Sequence, residues 1–88
     1  MQLKHLGTAN DDFTIAPGAK LFGIWVGTPL ATAVVTVYDG TTTSGTVLMT
    51  IDAASKSEIV FPNGCRGGAN STYIKLTTAN AKVTVAYG

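Results

Sequence analysis

Apolar and Cβ-branched side chains recur at every second position in short runs, and Gly, Pro or Asn cut the runs at spacings of about 8–12 residues. Side chains alternate between the two faces of a strand, so this period suits a half-buried antiparallel sheet and no helix. Val, Ile and Thr dominate, and branching at Cβ disfavours helix while fitting a pleated surface. The clearest run sets Ala33, Val35 and Val37 on one face against Val34, Thr36 and Tyr38, and ends at Asp39-Gly40. Beyond a polar tip at Thr41–Ser44, Val47, Met49 and Ile51 share a face opposite Leu48, Thr50 and Asp52, completing a hairpin.

Further strands are expected on the same grounds. Phe13–Ile15 is a short one, Ala16-Pro17-Gly18-Ala19 a turn, and Lys20–Val26 a strand with Phe22, Ile24 and Val26 on one face before Thr28-Pro29 turns the chain. Ser57, Ile59 and Phe61 alternate with Glu58 and Val60 until Pro62-Asn63-Gly64 breaks the run. Ile74 and Leu76 alternate with Tyr73, Lys75 and Thr77, and Val83, Val85 and Tyr87 with Lys82, Thr84 and Ala86. Asp52–Ser57 is too short for a stable helix and reads as a turn or one helical turn. The expected fold is all-β: a single antiparallel β-sandwich, jelly-roll or immunoglobulin-like, with six to eight short strands. Eighty-eight residues hold one core, with residues 1–12 an N-terminal segment able to act as an arm and residues 13–88 the sandwich domain.

Charge excludes several functions. Six Lys+Arg against five Asp+Glu leave a formal net charge of +1, too weak a field to attract nucleic acid or an anionic membrane. Hydrophobic residues form 45% of the chain and charged ones 12%, which argues against disorder. The first seven residues lack the apolar stretch of a secretory signal, and every apolar run is interrupted well short of the ~20 residues that cross a bilayer, so a soluble protein is expected. A lone Cys65 cannot close an intramolecular disulfide.

Chemistry is sparse. His5 is the one histidine, near a terminus expected to be mobile, and Cys65 is its only conceivable nucleophilic partner. Asp11-Asp12 and Asp39 with Asp52 could pair for acid–base work, but acids among Asn, Thr and Gly more often form turns by bonding their own backbone. One His and one Cys cannot build a transition-metal site, and no calcium-loop signature surrounds Asp11 and Asp12. Gly64-Cys65-Arg66-Gly67-Gly68 lacks the Lys-Ser/Thr partner of a phosphate loop; it reads as a flexible loop whose Arg66 is suited to contact a partner's carboxylate. Asn70-Ser71-Thr72 matches a glycosylation acceptor by accident. No catalytic residue, metal or cofactor is expected.

Four segments resemble small tailed-bacteriophage virion structural proteins: Ala16-Pro17-Gly18-Ala19-Lys20-Leu21-Phe22-Gly23-Ile24-Trp25-Val26, the hairpin from Val35-Thr36-Val37-Tyr38-Asp39-Gly40-Thr41 to Gly45-Thr46-Val47-Leu48-Met49-Thr50-Ile51-Asp52, Phe61-Pro62-Asn63-Gly64, and the closing run Ala81–Tyr87. The resemblance implies a capsid decoration (cement) protein on the outer surface of the major capsid lattice, or alternatively a head-fibre, neck or tail component with an attachment role. Its partners would be the major capsid protein or other virion proteins, with no nucleic acid and no membrane. It would reside in the virion, after assembly in the host bacterial cytoplasm. A homo-oligomer is expected, a trimer first, from the three-fold sites of capsids.

The partner surface expected from alternation is the outer face of a meander formed by Lys20–Val26, Ala33–Asp39 and Val47–Asp52. If Phe22, Ile24, Val26, Val35, Val37, Val47, Met49 and Ile51 fill the core, then Leu21, Trp25, Val34, Tyr38 and Leu48 face outward, with Gly23 leaving a gap beside Trp25 and Arg66 adding a polar contact. The competing expectation is that a loop or the N-terminal segment folds over them.

Overall fold

The computed structural model describes residues 2–28, 31–53, 57–66, 69–77 and 80–88. Eight strands follow one another: β1 (Gln2–Leu6), β2 (Asp12–Ile15), β3 (Lys20–Thr28), β4 (Val34–Asp39), β5 (Thr46–Asp52), β6 (Ser57–Arg66), β7 (Thr72–Thr77) and β8 (Lys82–Tyr87). They form two four-stranded antiparallel sheets, ordered β1-β8-β3-β6 and β2-β7-β4-β5. The expected all-β sandwich-like architecture is what the chain adopts.

The two sheets close on one apolar layer. Leu21, Ile24, Val83 and Val85 enter it from the first sheet and Val35, Val37, Ile74 and Leu76 from the second, all essentially without solvent contact. Full burial of one such side chain is worth about 1.5–3 kcal/mol. The Val35/Val37 alternation is as the sequence period requires, as are Ile74 and Leu76 in β7 and Val83 and Val85 in β8, although Tyr73 and Ala86 of the opposite phase are buried as well.

Several expectations need correction. The three runs Lys20–Val26, Ala33–Asp39 and Val47–Asp52 do not form a meander, because β3 lies in the first sheet and β4 and β5 in the second. A β-bulge between Leu21 and Gly23 inverts the alternation there. Leu21 therefore drops into the core while Phe22 stays half-buried outside it. A register shift opposite Val37 and Tyr38 leaves Leu48 unpaired and sets Val47 across from Tyr38, on the outer face and 53% exposed instead of in the core.

Pro62-Asn63-Gly64 does not end its strand. The ladder lapses between Val60 and Cys65, where Pro62 owes no N–H, and resumes with Cys65 opposite Leu21 and Arg66 opposite Lys20. The N-terminal segment is likewise part of the sandwich: Gln2–Leu6 pairs with Tyr87–Val83 and buries Leu6, and the domain's second strand starts at Asp12. The Ala16–Ala19 turn closes with the Ala19 N–H donating to the Ala16 carbonyl at 3.1 Å. Pro29 of the expected Thr28-Pro29 turn and residues 54–56 of the expected 52–57 turn lie outside the described residues.

Candidate interaction surface

The outer face of the first sheet carries two rows of side chains that run straight across its four strands. One is Leu3–Ala86–Gly23–Val60 and the next His5–Thr84–Trp25–Glu58, each in the order β1, β8, β3, β6. Leu3 is 59% and Val60 51% exposed, two of the four large apolar side chains most open to solvent among the described residues. Trp25 is half-buried, and its indole lies over Gly23: a Cβ added there would stand 2.6 Å from the far ring edge and 3.0 Å from the Ile59 carbonyl oxygen. The expected gap beside Trp25 is thus filled by Trp25 itself, which makes glycine obligatory beneath the ring.

Hydrogen bonds hold the second row in place. The Trp25 Nε1–H donates to Glu58 Oε2 at 2.8 Å, and His5 Nδ1 meets Thr84 Oγ1 at 2.9 Å. His5 is accordingly a member of a paired strand and not of a mobile terminus. Cys65 sits on β6, at the opposite edge of the sheet from His5 on β1, so the one conceivable nucleophile–base pair is not brought together. Burial pushes the half-buried Cys65 thiol up from its ordinary pKa against the opposing pull of Arg66, which disfavours the reactive thiolate.

The outer face of the second sheet is of different character. Tyr73 donates its hydroxyl to Asp12 Oδ2 at 2.6 Å and packs against Tyr38 with ring centroids 5.8 Å apart. That bond to Asp12, reinforced by burial, pushes the Tyr73 phenol up to about 12. Lys75, Thr14 and Thr36 occupy the neighbouring positions. Val34, Tyr38 and Leu48 belong to this sheet, so of the expected partner residues only Trp25 stands on the apolar face; Leu21 is in the core.

Arg66 is neither in a loop nor unengaged. It ends β6 with a positive φ of 68°, pairs through Nη2 with Asp39 Oδ1, and donates from Nε to Thr72 Oγ1 at 3.2 Å. Asp39 ends β4, so its carboxylate serves a bridge between sheets instead of its own turn, and Asp52 lies at the other end of the β4–β5 hairpin. Within Asn70-Ser71-Thr72, Thr72 is buried while Asn70 is exposed. Residues 67 and 68 lie outside the described residues.

Asp11 does act as a turn former: its Oδ2 accepts the Gly7 and Thr8 N–H groups at 2.9 Å each, and those bonds hold the carboxyl below its usual pKa. Among the described residues no three His, Cys, Asp or Glu side chains cluster closely enough to hold a metal ion. Sequence reasoning missed Leu3, Val60, His5 and Glu58 as members of one face, because only the register of β1 and β6 against β8 and β3 unites them. Comparison with known proteins finds no matching family model, no similar curated protein and no similar solved structure.

Proposed function

We propose that this protein is a non-enzymatic virion component of a tailed bacteriophage, a decoration protein that binds the outside of the major capsid lattice, and that its sandwich is a jelly roll. The strand order carries the reading. Strands pair β1 with β8, β2 with β7, β3 with β6 and β4 with β5, as one long hairpin would if rolled up, with β3–β8 and β4–β7 closing the two sheets. Double-sheet jelly rolls recur in viral capsid proteins, which makes the fold compatible with the virion resemblance of the sequence.

Further support comes from what the side chains do. His5, Asp11, Asp12 and Asp39 each bond a neighbouring strand or turn, His5 the Thr84 hydroxyl, Asp12 the Tyr73 hydroxyl and Asp39 the Arg66 guanidinium. Co-sedimentation with heads of the phage whose genome encodes the chain is the test. Saturable binding to expanded heads, with a rise in the temperature at which the heads disrupt, is expected. Absence of binding to heads, or binding confined to tails, would overturn the capsid assignment.

A further inference from the structure

The two sheets differ in where their exposed apolar side chains stand. Exposed apolar side chains stand on both sheets, Val47 and Leu48 on β5 of the second and Leu3 and Val60 on the first, and on the first they end one row across the sheet, with buried Ala86 and Gly23 under the half-buried Trp25 indole between them. An apolar patch of this kind stays in water only at a cost, and it usually marks an interface. The hydrogen-bonding side chains beside this row lie at opposite edges: His5 on β1 and Glu58 on β6, joined through Thr84 and Trp25 in the second row.

We propose that this face binds a second copy of the chain, sheet against sheet, about a two-fold axis running parallel to the strands between β8 and β3. Such an axis exchanges β1 with β6 and β8 with β3 while preserving position along the strands. Leu3 of one copy then lies over Val60 of the other, Ala86 over Gly23 and its covering indole, and His5 over Glu58. The face is therefore complementary to itself in both apolar content and hydrogen-bonding groups. Lys82 and Lys20 do not meet their counterparts: Lys82 shares a row with Thr28, and Lys20 exchanges backbone bonds with Gly88, so each lies over a neutral residue of the partner.

Size bears on the contact as well. The two longest extents of the molecule, 34 and 27 Å, bound the outline of a face at about 900 Å², so a dimer that takes the standard ~800 Å² from each partner would cover nearly all of it. The hydrogen bonds within the second row are compatible with the contact, since a carboxylate has a second oxygen to accept from His5 and the imidazole a second nitrogen to offer. The axis gives a dimer where the sequence resemblance leads one to expect a trimer, and it does not depend on the capsid reading.

Sedimentation equilibrium of the full chain from ~1 µM to ~1 mM tests the proposal over the range in which a moderate interface of this size dissociates. The mass should rise from 9.1 kDa to twice that value. Leu3→Glu and Val60→Lys alter exposed side chains, so thermal melts should still report folded protein, and each should raise the dissociation constant at least ~10-fold. The double variant should recover most of that loss, because the axis sets the new carboxylate at position 3 of each copy against the new ammonium at position 60 of the other. A wild-type mass of 9.1 kDa throughout, a trimer, a dimer indifferent to both single changes, or a double variant no better than the singles would each overturn it.

Discussion

The guanidinium of Arg66, at the end of β6, grips the carboxylate of Asp39, at the end of β4, and so ties the edge of one sheet to the interior of the other. The same side chain donates to the buried hydroxyl of Thr72 on β7, so one residue joins three strands from both layers. The pair is 27% and 30% exposed, which limits its own contribution to about 0–1 kcal/mol. Losing the guanidinium also strips Thr72 of a partner, and an under-satisfied buried hydroxyl costs about 1–3 kcal/mol.

Arg66→Ala should accordingly lower the free energy of unfolding by about 1–2 kcal/mol, read from urea denaturation. Arg66→Gly loses the same contacts but removes the penalty of a side chain at φ 68°, so it should be the more stable of the two. If alanine and glycine are equally destabilising, the left-handed backbone is not under strain at this position.

Trp25 and Gly23 form a second unit. Gly23→Ala puts a methyl group 2.6 Å from the indole edge and 3.0 Å from the Ile59 carbonyl, so the ring must swing away and its bond to Glu58 must break. Overpacking of this kind costs about 1–3 kcal/mol. Tryptophan fluorescence should shift to the red in folded Gly23→Ala protein, Trp25 being the one tryptophan. An unshifted spectrum with unchanged stability would mean that the ring does not rest on Gly23.

What the sequence made legible and what it hid divide along the bulges. Val35, Val37, Ile74, Leu76, Val83 and Val85 lie on strands that carry no extra residue at these shifts, the insertions being in β3 and β5, so parity alone assigns each side chain to the core. Leu21, Phe22 and Val47 sit at register shifts, and an extra residue in one strand reverses parity without leaving any mark in the side-chain pattern. Sheet membership was hidden for another reason. Strands consecutive in sequence are neighbours only about two-thirds of the time, and β3 and β4 are among the exceptions. The Leu3–Val60 row and the Arg66–Asp39 bridge depend on pairings between distant parts of the chain, which hydrophobic periodicity does not encode.

Tyr73 makes stability depend on alkaline pH. Its phenol is pushed up to about 12, mainly by the hydrogen bond to Asp12 and then by burial. An unfolded tyrosine ionises near ~10. The contribution is therefore whole below about pH 10 and is lost as pH rises through about 12. Melting temperature followed from pH 9 to 12 should fall more steeply in the wild type than in Tyr73→Phe, which lacks the titrating group and starts lower by about 1–2 kcal/mol. Parallel curves would show that Tyr73 does not hold its proton through Asp12.

Glycine at 45 is required by close approach and not by composition. A Cβ there would lie 2.1 Å from the Asp39 carbonyl oxygen, a backbone atom that cannot step aside without unwinding the β4–β5 hairpin. The Gly45 N–H also donates to the Thr42 carbonyl at 3.1 Å, closing the loop at the same point. Gly45→Ala should cost at least ~2 kcal/mol, at the upper end of what single substitutions do. Gly27 is the matched control: nothing lies within 4 Å of its added Cβ, and its φ is not positive. Gly27→Ala should be neutral or stabilising by up to about 1 kcal/mol, because alanine loses less backbone freedom on folding. Denaturant midpoints of the two variants measured side by side decide the matter, and similar midpoints would show that the hairpin loop can relax around a side chain at 45.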